Sequence, residues 1–155
     1  MDQVHMQRAI ELSINNVESG RGGPFGAVVV KDGKVLAEAA NSVTSTNDPT
    51  AHAEVLAIRA ACKKLSAFDL KGCEMYTSCE PCPMCLGAIY WARLDRVYFG
   101  NSAADAQKIG FDDSFIYRQI EQPYPQRTIP MIQVMRDEAW AGFLAWDEKP
   151  DKMPY

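Results

Sequence analysis

The chain has 155 residues, 47% of them hydrophobic and 23% charged, a size and balance that suit one domain spanning 1–155. No run approaches the roughly 20 apolar residues of a membrane helix, and the first residues lack a basic-then-apolar leader, so a cytoplasmic protein with no membrane partner is expected. The net charge of −4, with only short basic pairs such as Lys63-Lys64, disfavours a nucleic-acid partner and favours a small substrate.

In chain order, Val4, Ile10, Ile14 and Val17 recur at helical spacing and predict an amphipathic helix over 2–19, stopped at Gly20. Arg21-Gly22-Gly23-Pro24 is a loop. Gly22, Gly23 and Gly26 read as sites of tight turning and close backbone approach, since no lysine follows in a phosphate-loop pattern. A valine-rich strand over 25–31, an Asp32-Gly33 turn and a returning strand over 34–43 form a hairpin. Asn47-Asp48-Pro49-Thr50 breaks the chain and caps a helix over 51–64. A strand over 73–78, a helix over 82–93 and a short strand over 95–100 follow. Beyond them the pattern predicts a helix over 112–121, a proline-rich link, a strand over 131–135 and a helix over 137–146. Strands alternating with helices imply parallel neighbours, and the hairpin is antiparallel. The expected fold is α/β, a three-layer α/β/α sandwich around a mixed sheet.

The five cysteines form an odd set in a chain with no secretory feature, which argues against a disulfide framework. Metal binding and burial remain. His52-Ala53-Glu54 and Pro81-Cys82-Pro83-Met84-Cys85 supply one imidazole, two thiols and a carboxylate. Cys82 and Cys85 are spaced i, i+3 at a predicted helix start, where the helix dipole favours the thiolates that zinc needs. His52 opens the other central helix. A zinc ion held by these three ligands, one per chain, keeps a fourth position open, as catalytic sites do and structural ones do not. Glu54 then stands ready to move protons rather than to bind the metal. Cys79 also follows the three-residue spacing, but it ends the preceding strand; with Cys62 and Cys73 it reads as a small buried residue. His5 reads as solvated surface.

The pattern His-x-Glu followed by Pro-Cys-x-x-Cys resembles that of the zinc-dependent nucleoside and nucleobase deaminases, the cytidine and deoxycytidylate deaminase superfamily. The resemblance covers about 24–100 and implies hydrolytic deamination by a zinc-activated water, with Glu54 as proton shuttle. Over nearly the whole chain the sequence is most similar to the branch of small bacterial guanine deaminases. The stretches Gly22-Gly23-Pro24-Phe25-Gly26-Ala27, Asn47-Asp48-Pro49-Thr50-Ala51, Thr77-Ser78-Cys79-Glu80 and Gly110-Phe111-Asp112-Asp113-Ser114 carry this likeness, as does the terminal Tyr155. It implies a purine substrate, with Asn41 hydrogen-bonding the base, Phe25 stacking on it and Asp113 as a second proton carrier. It also implies a homodimer that exchanges C-terminal segments, so that Tyr155 completes the neighbour's pocket.

The residues allow other readings. Phe25 and Trp91 offer aromatic faces to a planar base, yet either could be a core aromatic. Asn41 could satisfy strand-end backbone, and Asp112 reads as a helix cap whose duty Asp113 could share. Guanosine, cytosine or another amino-substituted azine stay open as substrates. A tRNA adenosine deaminase is a more distant alternative, and a zinc-stabilised binding module is the alternative from outside catalysis.

Overall fold

A computed structural model describes residues 2–155. The chain divides into two compact units, one ending at Ser114 and the other spanning Phe115–Tyr155. The first unit holds a four-stranded sheet of β1 (Gly26–Lys31), β2 (Lys34–Ala40), β3 (Cys73–Cys79) and β4 (Arg96–Asn101), in the order β2-β1-β3-β4. β1 pairs antiparallel with both β2 and β3, whereas β3 and β4 run parallel. The mixed sheet is the expected one.

Side chains alternate across the sheet because the strand period is two. Ala27, Val29 and Met75 face α3 (Ala53–Leu65) and α4 (Pro83–Trp91), packing with Ala53, Ala57, Ile58, Ala61 and Ile89. Their neighbours Val28, Val30 and Tyr76 face Ala9 of α1 (Gln3–Glu18) on the other side. Helices therefore cover both faces, and the three-layer α/β/α sandwich holds. α2 (Val43–Thr46) lies in the connection from β2 to α3, and α5 (Ala103–Lys108) follows β4.

α1 buries a different face from the one its apolar residues predict. His5, Ala9, Ser13 and Asn16 are buried, while Val4, Ile14 and Val17 are at least half exposed. Close approach explains the choice. A Cβ added to Gly26 would lie 2.4 Å from Ala9 O, 2.7 Å from Leu12 Cβ and 2.8 Å from Ser13 N. Only small groups fit that seam, so the helix turns its alanine and serine inward. The same phase carries His5 out of solvent, against the expectation of a surface residue. Its ring meets Tyr76 edge-on at 5.4 Å, with Nε2 3.6 Å from Asp2 Oδ2.

The second unit consists of most of α6 (Ser114–Glu121), a short 3-10 turn (Tyr124–Gln126) and α7 (Arg136–Glu148). Arg127 ties its middle: Nε and Nη2 donate to the carbonyls of Gln122 and Ile120 at 3.0 and 3.1 Å, and its head lies over the Tyr124 ring. The expected strand over 131–135 does not form. Ile132 and Val134 are more than two-thirds exposed there, and apolar β-branched residues make no strand without a ladder partner. No residue from 115 to 155 is buried. Among the described residues no helix is long and apolar enough to cross a membrane.

Candidate active site

Two helix starts build the centre of the site. Asp48 accepts both the N–H and the hydroxyl of Thr50, at 2.8 and 2.7 Å, and the Thr50 carbonyl accepts the His52 N–H at 2.8 Å. This turn delivers His52 as the N-cap of α3, in extended backbone. Cys82 is the N-cap of α4, followed by Pro83, whose fixed φ suits a first helical position. One turn later Cys85 is fully buried. The small residues Ala53, Ala57 and Ala92 share one core with Ile89, so the two helices lie close and their starts meet.

His52 Nδ1 lies 3.6 Å from Cys82 Sγ and 3.5 Å from Cys85 Sγ. All three donor atoms fall within 4.8 Å of one another, and among the described residues they are the cluster that could hold a metal ion. A tetrahedral zinc, with Zn–S of about 2.3 Å and Zn–N of about 2.0 Å, sets N···S separations of about 3.5 Å, so the set fits zinc. Cys79 stays outside it. Its thiol turns to the Ser102 carbonyl at 3.8 Å and is pushed up to about 11 by burial, reinforced by Glu54. Cys82 goes the other way, down to about 4, because the Cys85 thiol donates to it and His52 stands beside it. Cys85 is raised by its contact with Cys82 and by burial. His52 is raised by its contact with Cys82.

Glu54 is 5% exposed and lies beside the ligand group without joining it. Its Oε2 accepts from Cys85 Sγ at 3.5 Å and its Oε1 accepts from Thr77 Oγ1 at 3.4 Å. Burial raises this carboxyl above the ordinary glutamate value. A carboxyl raised in this way holds a proton more readily than a free glutamate, which suits a proton carrier. Asp113 is raised as well, by burial first and then by the negative charge at Cys82. Just before α6, Asp112 Oδ1 accepts the Ser114 N–H at 2.9 Å.

Asn41 is 7% exposed, and its side chain serves backbone at one end only. Oδ1 accepts the N–H groups of Gly23 and Val43, both at 3.3 Å. Those bonds fix the amide and leave Nδ2 as a donor. Phe25 joins the loop, its carbonyl accepting the Asn41 N–H at 3.0 Å and its ring edge-on to Phe111 at 4.9 Å. A cavity of about 270 Å³ opens beside Phe25 and Cys79, walled further by Asn101, Ala106 and Ile109.

The structure does not bring Trp91 to this cluster. It ends α4, about 12 Å along the axis from Pro83, and is 65% exposed rather than a core aromatic. Tyr155, 70% exposed, belongs to the second unit. Sequence reasoning overlooked Thr77 and Asn16, both buried polar residues that contact the site residues. For Thr77 the only available signal is a hydroxyl on a core-facing strand position; for Asn16 it is an amide on the helix.

The family model of the cytidine and deoxycytidylate deaminase zinc-binding region matches residues 1–101. The chain belongs to this deaminase family. Among its relatives in the family, guanine deaminase of Bacillus subtilis (strain 168) is 54% identical over 153 residues, covering 99% of this chain and 98% of its own. The X-ray structure of guanine deaminase from Bacillus subtilis superposes with a TM-score of 0.97, covering 100% of this chain and 99% of that one. A tRNA-specific adenosine deaminase of Aquifex aeolicus is 47% identical, but over 87 residues, 56% of each chain. The family's zinc region contains His52, Cys82 and Cys85, the three donors found together here.

Proposed function

We propose that this deaminase hydrolyses guanine to xanthine and ammonia. The observation that carries the reading is the identity with guanine deaminase of Bacillus subtilis, which runs through 99% of the chain instead of stopping at the zinc region. His52, Cys82 and Cys85 would hold the zinc, which when bound supplies the Lewis acidity that activates a water.

The chain's own residues perform the remaining tasks. Glu54 takes the proton of the attacking water and returns it to a ring nitrogen as the C–O bond forms at the amino-bearing carbon. Asp113 carries the remaining hydroxyl proton to the amino group as the C–N bond breaks and the C=O forms, so that the nitrogen leaves as ammonia. The Nδ2 of Asn41 donates to an acceptor on the base, and Phe25 offers its ring to the purine face. The mobile partner is then a small purine, and the setting is guanine catabolism in the cytoplasm. The working form is a homodimer of 1–155 chains that exchange their second units, Tyr155 closing the neighbour's pocket. The wholly unburied state of Phe115–Tyr155 supports this arrangement.

Ammonia release from guanine, guanosine, cytosine and adenine tests the substrate. Guanine is expected to be turned over fastest. Turnover of another member without guanine would overturn the substrate while leaving a deaminase. No turnover by the zinc-loaded protein would instead favour a binding module.

A further inference from the structure

We propose that Asn16 is a positioning residue for substrate binding, acting through Asn41 and the loop from Gly22 to Phe25. This rests on the reading of Asn41 as a contact to the base. Asn16 lies on α1, on the opposite face of the sheet from α3 and α4, and is 2% exposed. Its Nδ2 donates both hydrogens to main-chain carbonyls far away in sequence, Gly23 O and Asn41 O, each at 2.8 Å. Its own carbonyl accepts the Arg21 N–H at 3.2 Å and the Ser19 hydroxyl at 3.1 Å, so Asn16 meets the loop through main chain and side chain alike.

These bonds lock together two chain segments that also grip each other. Gly23 N–H goes to Asn41 Oδ1, and Asn41 N–H goes to Phe25 O. Every main-chain polar group of Asn41, and its Oδ1, is therefore engaged by a fixed partner. Only Nδ2 of that side chain is left to aim. The clamp is too tight for a side chain at Gly22. A Cβ there would sit 2.3 Å from Asn41 O and 2.9 Å from Asn16 Nδ2.

The residue type follows from the chemistry. One primary amide nitrogen carries two splayed hydrogens and can satisfy two carbonyls at once. Aspartate would turn acceptors toward acceptors, and leucine would leave the buried Asn41 carbonyl without a partner and Gly23 O with the Phe25 N–H alone. Asparagine costs helix propensity at this position, which α1 tolerates because the gain lies outside the helix. Releasing the clamp frees the Asn41 amide to rotate and the Phe25 loop to shift, while the zinc ligands and Glu54, on α3 and α4, stay where they are.

The test is steady-state kinetics with guanine on zinc-loaded enzyme. Asn16→Ala is expected to raise KM by about tenfold or more with kcat within about twofold, the signature of lost ground-state binding. Gly22→Ala is expected to do the same, since it drives Asn41 O off Asn16 from the other side. KM does not depend on the folded fraction and kcat is taken per bound zinc, so a lower yield of either variant leaves the readout intact. In a double-mutant cycle Asn16→Ala should add little to the KM of Asn41→Ala, because both act on one contact. Wild-type KM in Asn16→Ala beside raised KM in Asn41→Ala would overturn the role of Asn16 alone. Fully additive effects, or a fall in kcat at unchanged KM, would overturn it too. Wild-type KM in Asn41→Ala would sink the underlying reading of Asn41.

Discussion

Glu54 shows how much one carboxyl depends on its surroundings. On an exposed helix start it would be a favourable but ordinary first-turn acid. Here burial keeps it protonatable, while a thiol at 3.5 Å and a hydroxyl at 3.4 Å hold it aimed beside the metal ligands. Glu54→Ala should therefore cut turnover by about 10²–10⁴-fold. Zinc content, measured by elemental analysis, should stay near about one per chain, since the three-ligand set is complete without the carboxylate. Loss of zinc in that variant would make Glu54 a ligand. The metal residues were legible in the sequence because short covalent spacing sets their geometry: Cys82 and Cys85 share one helix turn and His52 opens another. Asn16 was not legible. Its partners lie 7 and 25 residues away, and nothing local distinguishes it from any polar residue on a helix.

At the level of elements, periodicity located helices and strands but misjudged which side of α1 faces in. The pattern Val4, Ile10, Ile14, Val17 gave an apolar stripe, yet the seam with β1 admits only small groups. Packing distance overrode hydrophobicity there, and a sequence carries no record of that distance until Gly26 is placed opposite Ala9. Gly26→Ala should accordingly destabilise the protein by about 1–3 kcal/mol, the cost of overpacking, read as a lowered urea midpoint at unchanged m-value. A wild-type midpoint would mean that α1 moves aside freely. α5 was overlooked although Ser102-Ala103-Ala104-Asp105 carries its signal. Ser102 accepts the Asp105 N–H at 3.2 Å and Asp105 accepts the Ser102 N–H at 3.1 Å, a reciprocal capping box. The strand expected over 131–135 failed for the opposite reason: local β preference was present and a pairing partner was not.

For the whole molecule, the second unit keeps Trp140, Phe143, Leu144 and Trp146 more than two-fifths exposed, an apolar load that a lone chain does not bury. Light scattering on the purified protein should give twice the chain mass of 17.2 kDa. A monomer at micromolar concentration would remove the exchange of second units from the proposed function and leave the chemistry in the first unit untouched.

Both helices of the zinc site begin on a ligand, His52 for α3 and Cys82 for α4. The donors are thus indexed to where each helix starts, not to how long it runs. Extending α3 beyond Leu65 or α4 beyond Trp91 would move no donor atom. One residue gained or lost between His52 and Ala57, inside the first turns of α3, would instead swing the imidazole by about 100° about the helix axis, away from both sulfurs.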